Sequence, residues 1–301
     1  MLNYNHILGL LHRLCFTVFT CFFVLSFVNG SSVQDTLQFR QTISSKGQFL
    51  KIGVSGGWFA VKDFETSPLI YKGFLPGIQI GGLFHGKKTV FSMDYSFSYG
   101  KLVTRNYPGI DVNKALAYNN SLNLDFGRKI NSGGSSDFYI GPRLCIIANF
   151  RNNPKFNNAN FNFEGFAMFG PMLLWEKEMD LVPRQLNLGF LKWPLHNRTM
   201  KWSTSLYIPF INGVARPPYP GINDFVDGRS PTFNIHQLKI VSFNYLTCLV
   251  STSSLSYYLQ NGNRFMLSYQ WYYYNYHPST NKIRGVAGNF AFSFLFRLNK
   301  K

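Results

Sequence analysis

Apolar and polar residues alternate with a repeat of two along several segments of the chain. In NFAFSFLFRL (289–298), Phe290, Phe292, Phe294 and Phe296 alternate with Asn, Ala, Ser, Leu and Arg. Successive side chains of a β-strand point to opposite faces, so this segment predicts a strand with one strongly apolar face. The same alternation recurs in TVFSMDYSFSYG (89–100), ALAYNNSLNLDFG (115–127) and RFMLSYQWYYYNY (264–276).

Weaker alternation marks further candidate strands, whereas the spacing typical of amphipathic helices is nearly absent. With the segments above, the candidates number about twelve, and the less regular segments allow about 10 to 14. The additional candidates are residues 50–60, 77–85, 138–150, 160–174, 185–192, 200–210, 236–249 and 254–260. We therefore predict an all-β fold of antiparallel strands.

The connections between these strands differ between the two ends of the predicted sheet. With the first strand called upward, the tight-turn sequences HGKK (85–88) and NGN (261–263) fall at the lower end, and most upper connections are longer. Short turns at one end and longer loops at the other are typical of outer-membrane barrels. Residues 212–234 form a long lower connection, which indicates either a periplasmic excursion or a strand count that is wrong by one pair.

The second face of each strand distinguishes a membrane barrel from a soluble sheet. In a soluble sandwich that face would meet water and carry charges, but here it is mostly Ser, Asn, Gly and Ala, which suit a confined lumen. We therefore predict a closed antiparallel transmembrane β-barrel, with Phe290, Phe292, Phe294 and Phe296 of the last strand facing lipid. The alternative is a secreted soluble β-protein that buries these four side chains in a core and binds an anionic ligand.

The N-terminal segment predicts export. A basic start is followed by the uncharged CFTVFTCFFVLSFV (15–28), which at about 14 residues is shorter than a membrane-spanning helix. These features predict a signal peptide over residues 1–30, cleaved after Gly30, and an uncleaved anchor is the alternative. The predicted remainder is an N-terminal periplasmic segment (31–49), the barrel (50–298) and a C-terminal tail (299–301).

The net charge indicates the partners of an exported chain, and the cysteine content indicates its disulfide bonding. The formal net charge is +17, and an anionic membrane surface is a better-matched partner than nucleic acid, which an exported protein seldom meets. Two of the four cysteines leave with the predicted signal peptide, so there is no disulfide framework. Cys145 and Cys248 would lie far apart in a twelve-stranded barrel and are predicted to be free thiols, although in a smaller barrel, or in a sandwich, they could pair.

The predicted signal peptide, the alternation over residues 50–298 and the aromatic last strand resemble bacterial outer-membrane β-barrel proteins as a class. No motif identifies a narrower family, and the chain continues past Phe296 with RLNKK (297–301), whereas members of the class usually end on an aromatic residue. The resemblance implies the outer membrane of a Gram-negative-type bacterium. It also implies a porin-like, non-enzymatic role, as a narrow channel or as a structural or accessory component of an envelope complex, with outer-membrane lipid and envelope proteins as partners.

Five charged residues fall on the lumen-facing side of the predicted strands. Such charges predict a polar network that plugs or gates a narrow pore. A simpler interpretation is that they pair because a buried charge without a partner is costly. The residues are Asp94, Asp125, Arg143, Glu164 and Arg264.

Catalytic chemistry has one weak candidate. His277 and Ser279 have the spacing of the His–Ser pair of lipid-acting barrel hydrolases, in which imidazole activates the hydroxyl. Pro278 would interrupt a strand and the motif falls in a predicted loop, so no catalytic residue is predicted and the hydrolase stays an alternative. No cofactor and no metal is predicted, because the histidines outside the signal peptide (His85, His196, His236 and His277) lack ligand spacing.

The predicted upper loops are strongly basic. Anionic lipopolysaccharide head groups would be attracted to this surface, although a solvated basic surface without a ligand fits the same pattern. The basic residues are Lys62, Lys72, Lys101, Arg105, Lys114, Arg151, Lys155, Arg198, Lys282 and Arg284, against the acidic Asp63, Glu65 and Asp111.

Overall fold

The computed structural model describes residues 46–298 except 68, 108–109, 134–135, 156–160, 182–183, 189–190, 196–197, 217–237 and 280. The predicted signal peptide and most of the predicted periplasmic segment therefore lie outside the described residues. The described strands are β1 (Gly47–Asp63), β2 (Ile70–His85), β3 (Thr89–Tyr107), β4 (Ile110–Gly133), β5 (Ser136–Asn152), β6 (Phe161–Leu181), β7 (Arg184–Leu188), β8 (Leu191–Leu195), β9 (Arg198–Tyr207), β10 (Ile211–Ala215), β11 (Lys239–Ser242), β12 (Leu246–Tyr258), β13 (Arg264–Tyr276) and β14 (Ile283–Arg297).

Ten of these strands close a barrel in which every neighbouring pair is antiparallel. Strands β1 to β6 follow one another, β9 pairs with both β6 and β12, and β13 and β14 lead back to β1. The barrel closes where β1 pairs with β14, from Phe49 opposite Arg297 to Asp63 opposite Ile283. The predicted fold class is confirmed, and the strand number is ten, at the lower limit of the predicted range.

Strands β10 and β11 extend β9 and β12 rather than adding to the wall. β10 follows β9 after Pro209 and continues to pair with β6, with Ala215 opposite Gly165. The amide groups on both sides of Pro209 still bond to β6, from Ile208 to Pro171 and from Phe210 to Phe169. Proline has no amide hydrogen to donate, which accounts for an interruption at this position.

This arrangement corrects the predicted strand order after β6. Residues 185–192 are not a barrel strand, because β7 and β8 form a separate hairpin between β6 and β9. Residues 236–249 and 254–260 are not two strands, since β12 runs through the predicted loop at 250–253. The wall therefore has one pair of strands fewer than the central value of about twelve, within the predicted range of 10 to 14. β10 ends and β11 begins at the end at which β1 finishes, called here the upper end, so residues 212–216 do not start a lower connection as predicted. The remaining residues of the predicted connection, 217–234, lie outside the described residues.

The two faces of the wall differ sharply in chemistry. On β14, Phe290, Phe292 and Phe296 point outward and are 55%, 52% and 42% exposed, while Ala291, Ser293 and Leu295 are buried inside the barrel. Phe294 also points outward, with its ring between those of Phe265 and Phe296. Outward apolar side chains recur around the wall, for example Ile52, Val54, Phe74, Ile78, Met93, Phe126, Ile140, Leu173 and Leu267.

No helix among the described residues is long and apolar enough to cross a membrane.

Candidate functional site

The interior of the barrel holds most of the buried charge and is the candidate functional site. Near the upper end, Asp63 Oδ2 accepts a hydrogen bond from Arg151 Nη2 at 2.8 Å, and its other oxygen pairs with Arg216. Arg151 Nη1 lies 3.1 Å from Glu164 Oε1. All four side chains are buried. Two carboxylates and two guanidinium groups balance in charge, which offsets part of the cost of removing them from water.

Neighbouring polar side chains complete this upper group. Tyr274 donates its hydroxyl hydrogen to Glu164 Oε1 at 2.6 Å, and Asn149 Nδ2 donates to the same oxygen at 2.8 Å. The Tyr71 hydroxyl accepts hydrogen bonds from Asn113 and Asn153, each at 3.1 Å. Hydrogen bonds of this kind anchor the charged side chains across strands that are distant in sequence.

A second, central group lies further down the lumen. Lys51 Nζ is 2.8 Å from Asp94 Oδ1, and Arg143 Nε is 3.2 Å from Asp125 Oδ1. Arg143 also donates to Asn123 Oδ1 at 3.0 Å.

A third group occupies the lower end. Glu176 lies between His85 Nε2 at 2.9 Å and Lys201 Nζ at 2.8 Å. Arg264 stacks between two rings, with its guanidinium carbon 3.9 Å from the centre of Phe49 and 4.4 Å from that of Tyr258. A cation between aromatic faces is attracted by the electron-rich faces of both rings.

The five charged residues predicted from the sequence are therefore divided among three groups. Asp94, Asp125 and Arg143 belong to the central group, Glu164 to the upper group and Arg264 to the lower one. The sequence interpretation missed two members of the upper group, because it ended the first strand at residue 60 and the fifth at residue 150. Asp63 and Arg151 were thus assigned to loops, although both continue the lumen-facing phase of their strands.

A small cavity separates the upper and central groups. It has a volume of about 50 Å³, and its polar lining includes Ser96, Asn119, Ser121, Gln270 and Asn289. This is room for a few water molecules. Waters here would hydrate buried oxygens such as Asn119 Oδ1, which has no protein partner among the described residues.

Apolar side chains close the lumen at the level of this cavity and above it. Phe59, Leu102, Phe166, Tyr207 and Tyr274 are each at most 1% exposed. They belong to one core cluster inside the barrel, together with Cys145 and Cys248. Both cysteines are buried and free, although the ten-stranded barrel is smaller than the one predicted. At this level the described lumen is thus packed like a core.

The weak catalytic candidate gains no support from the geometry. His277 follows β13 in an exposed loop, with Nδ1 3.3 Å from Asn275 Nδ2. Among the described residues, His277 and Ser279 share no hydrogen bond. Nor do the described residues contain a group of three or more His, Cys, Asp or Glu side chains placed to hold a metal ion.

The predicted upper basic residues have several different positions. Arg151 is buried in the upper group, and Arg198 begins β9 at the lower end. Lys62, Lys72, Lys101 and Lys114 lie on strands, because β1 to β4 are longer than predicted. The side chain of Arg105 is outside the described residues.

Comparison with known proteins identifies no family. No protein-family description and no curated protein matches the sequence. Solved structures with a similar chain trace include the outer membrane protease OmpT from Escherichia coli (8% identity, TM-score 0.49, covering 88% of this chain and 99% of that chain). Others are the transport unit of the autotransporter AIDA-I from Escherichia coli (8%, 0.42, 91% and 96%) and Neisserial surface protein A (10%, 0.32, 83% and 100%).

These similar structures are bacterial outer-membrane β-barrels, the class that the sequence resembles, and no narrower family emerges. With every TM-score below 0.5, they transfer neither an activity nor a ligand to this chain. The closed barrel rests on its own strand pairing.

Proposed function

We propose that the chain is an integral outer-membrane β-barrel with a closed interior. It acts as a structural or accessory component of the cell envelope. Its rigid wall holds the connections at the upper end of the barrel. The packed lumen is the observation that supports a structural role over a channel.

The outward face supports the position in the membrane. Exposed large apolar side chains surround the wall, and single residues such as Phe74 and Val54 are 64% and 62% exposed. A water-soluble protein rarely exposes so continuous an apolar surface. The closed pairing also leaves the ten wall strands without a free edge over most of their length, as hydrocarbon requires.

The same face argues against the secreted soluble alternative. That alternative needs Phe290, Phe292, Phe294 and Phe296 in a core, but it is Ala291, Ser293 and Leu295 that are buried. The wall has an apolar exterior and a partly charged interior, which is the opposite of a soluble sandwich.

The lumen argues against an open channel. A water-filled pore would leave the side chains of its wall in contact with solvent, whereas the interior side chains above the cavity are almost fully buried. The paired charges of the upper group lie across the same section. Both observations favour a plugged barrel whose wall is a scaffold.

Planar-bilayer recording tests the proposed closed interior. Refolded protein, shown to be folded by its heat-modifiable gel mobility, is added to bilayers beside a general porin as a positive control. We expect insertion without discrete conductance steps. Reproducible steps that scale with the amount of folded protein would assign the chain to the channels instead.

A further inference from the structure

Four lysines form a patch on the outer surface of the wall near its upper end. Lys62, Lys72, Lys101 and Lys114 lie on β1, β2, β3 and β4, on the face that points away from the lumen. Lys72, Lys101 and Lys114 are exposed and Lys62 is half-buried, with its ammonium 4.6 Å from the centre of the Phe64 ring. We call these four residues the lysine patch.

The strand register holds the patch together. Val103 is opposite Lys72 on one side and Lys114 on the other, so these two lysines lie in one row across three strands. Two strand spacings separate them, which is about 10 Å. Lys101 is the next outward residue below Val103, and Lys62 pairs with Ile70, the next outward residue above Lys72.

An apolar wall begins directly below the patch. Leu116 is opposite Lys101, and Tyr118 is opposite Tyr99, with ring centres 4.9 Å apart. Phe74 is the next outward residue below Lys72 and is 64% exposed. A ligand that fits both surfaces therefore has anionic groups above and hydrocarbon chains below.

The patch is confined to one side of the barrel. Among the outward side chains of β1 to β4 that the structure describes, none is acidic; the side chain of Asp111, which β4 places opposite Arg105, lies outside the described residues. Outward positions near the upper end of the opposite wall are uncharged, namely Phe161, Phe163, Gly213, Ala215 and Ile240. A local cluster of one sign of charge indicates a binding surface for a specific anion rather than a general basic surface.

We propose that the lysine patch binds the phosphate groups of lipopolysaccharide, whose acyl chains lie along the apolar wall of β2 to β4. Flexible ammonium groups suit phosphates that are presented at a membrane surface. This inference rests on the proposed membrane position, since the lipid reaches the patch only if the apolar wall lies in the bilayer. The inference names one lipid as the ligand and one face of the barrel as its binding site, and the proposed function names neither.

A binding measurement with deep-rough lipopolysaccharide tests the patch. The folded protein in neutral detergent is titrated with this lipid, and the variant carries Lys62→Gln, Lys72→Gln, Lys101→Gln and Lys114→Gln. We expect at least about a tenfold loss of affinity. The matched control carries Lys87→Gln, Lys88→Gln and Arg128→Gln, exposed basic residues near the lower end, and should bind within about twofold of wild type.

Two further binding measurements, with other lipids, decide whether the phosphate groups of lipopolysaccharide are what the lysine patch binds. Dephosphorylated lipopolysaccharide should bind wild type and variant alike, and phosphatidylglycerol should not reproduce the difference. Equal losses in the lysine-patch variant and the control, or the same difference with phosphatidylglycerol, would overturn the proposal. Folding and membrane fractionation are scored separately for each variant. A lysine-patch variant that is folded and membrane-bound but has unchanged affinity therefore refutes this inference and leaves the proposed function standing.

Discussion

Ser293 and Gly53 face each other at the seam where β14 closes onto β1. Ser293 is fully buried, and a Cβ atom placed on Gly53 would lie 2.3 Å from the Ser293 Oγ. Glycine at this position allows the two backbones to approach closely. The alternation alone would suggest that arginine is better tolerated at Ser293 than on the apolar face, and the close approach reverses that expectation.

Ser293→Arg should therefore destabilise the barrel more than Phe292→Arg. The outward change should cost about 2–4 kcal/mol near the membrane midplane. The inward change adds overpacking and a buried charge without a partner, together about 4 kcal/mol or more. Urea unfolding in detergent, followed by heat-modifiable mobility, measures both. Ser293→Ala should be nearly neutral, and equal stability of the two arginine variants would contradict the packed seam.

Arg151 connects Asp63 with Glu164 in the upper group. Arg151→Met should cost about 3–5 kcal/mol, because two buried carboxylates lose a partner. Adding Glu164→Gln should recover at least about 1 kcal/mol, since Asp63 keeps Arg216 and the neutral amide no longer needs a cation. Unfolding free energies of the single and double variants form a double-mutant cycle. If the double variant is no more stable than Arg151→Met, the cost of losing Arg151 does not come from leaving the Glu164 carboxylate without a cation.

Sequence reasoning found single interior residues but not their pairing. The alternation placed Asp94, Asp125 and Arg143 on one side of their strands, because side-chain direction depends only on position along a strand. Which carboxylate meets which cation depends on barrel circumference and register, and these are properties of the closed wall. Arg151 meets Asp63 across 88 positions of sequence, a distance over which the alternation contains no information.

At the scale of elements, the β7–β8 hairpin is an insertion between two wall strands. Leu181 at the end of β6 is already opposite Arg198 at the start of β9. A short Asn-Gly turn in place of residues 182–197 should therefore leave a folded, heat-modifiable barrel. If these residues supplied wall strands, their deletion would abolish folding. Loss of heat-modifiable mobility in the deletion variant would contradict the ten-stranded wall.

The long connection after β10 tests the direction of the strands. β10 ends at Ala215 and β11 begins at Lys239, both at the upper end, so we expect the chain between them to be accessible from outside the cell. Ser230→Cys should react with a membrane-impermeant maleimide on intact cells. Lys87→Cys, in a turn at the lower end, should react only after the outer membrane is opened, and the native Cys145 and Cys248 are buried. The reverse labelling pattern would invert the assignment of the two ends.

Regular elements were predictable and irregular ones were not. The long alternating runs predicted β3, β4, β13 and β14, because each has an apolar face that is continuous apart from Asn120 on β4. Strand ends were missed where lysine or aspartate continues the alternation, as at Lys72 and Asp63. The hairpin of β7 and β8 has the same local preference for extended backbone as a wall strand, and only its pairing partner distinguishes it.

At the scale of the whole molecule, the distribution of polarity is inverted relative to a soluble protein. Apolar side chains cover the outside, and paired charges with a small polar cavity lie inside. This distribution is stable only if the outside meets hydrocarbon, because exposed apolar surface in water would favour aggregation. The central claim is therefore that the wall is in direct contact with lipid.

The native tryptophans report on this contact without a bulky label. Trp58, Trp175, Trp202 and Trp271 all belong to the outward phase of their strands. Trp193→Phe removes the tryptophan of the β7–β8 hairpin from the signal. The measurement is the tryptophan fluorescence of this variant in vesicles of phospholipid brominated on the acyl chains, compared with unbrominated vesicles. We predict strong quenching by the brominated lipid, and equal intensity in the two kinds of vesicle, with the protein bound to both, would contradict a lipid-facing wall.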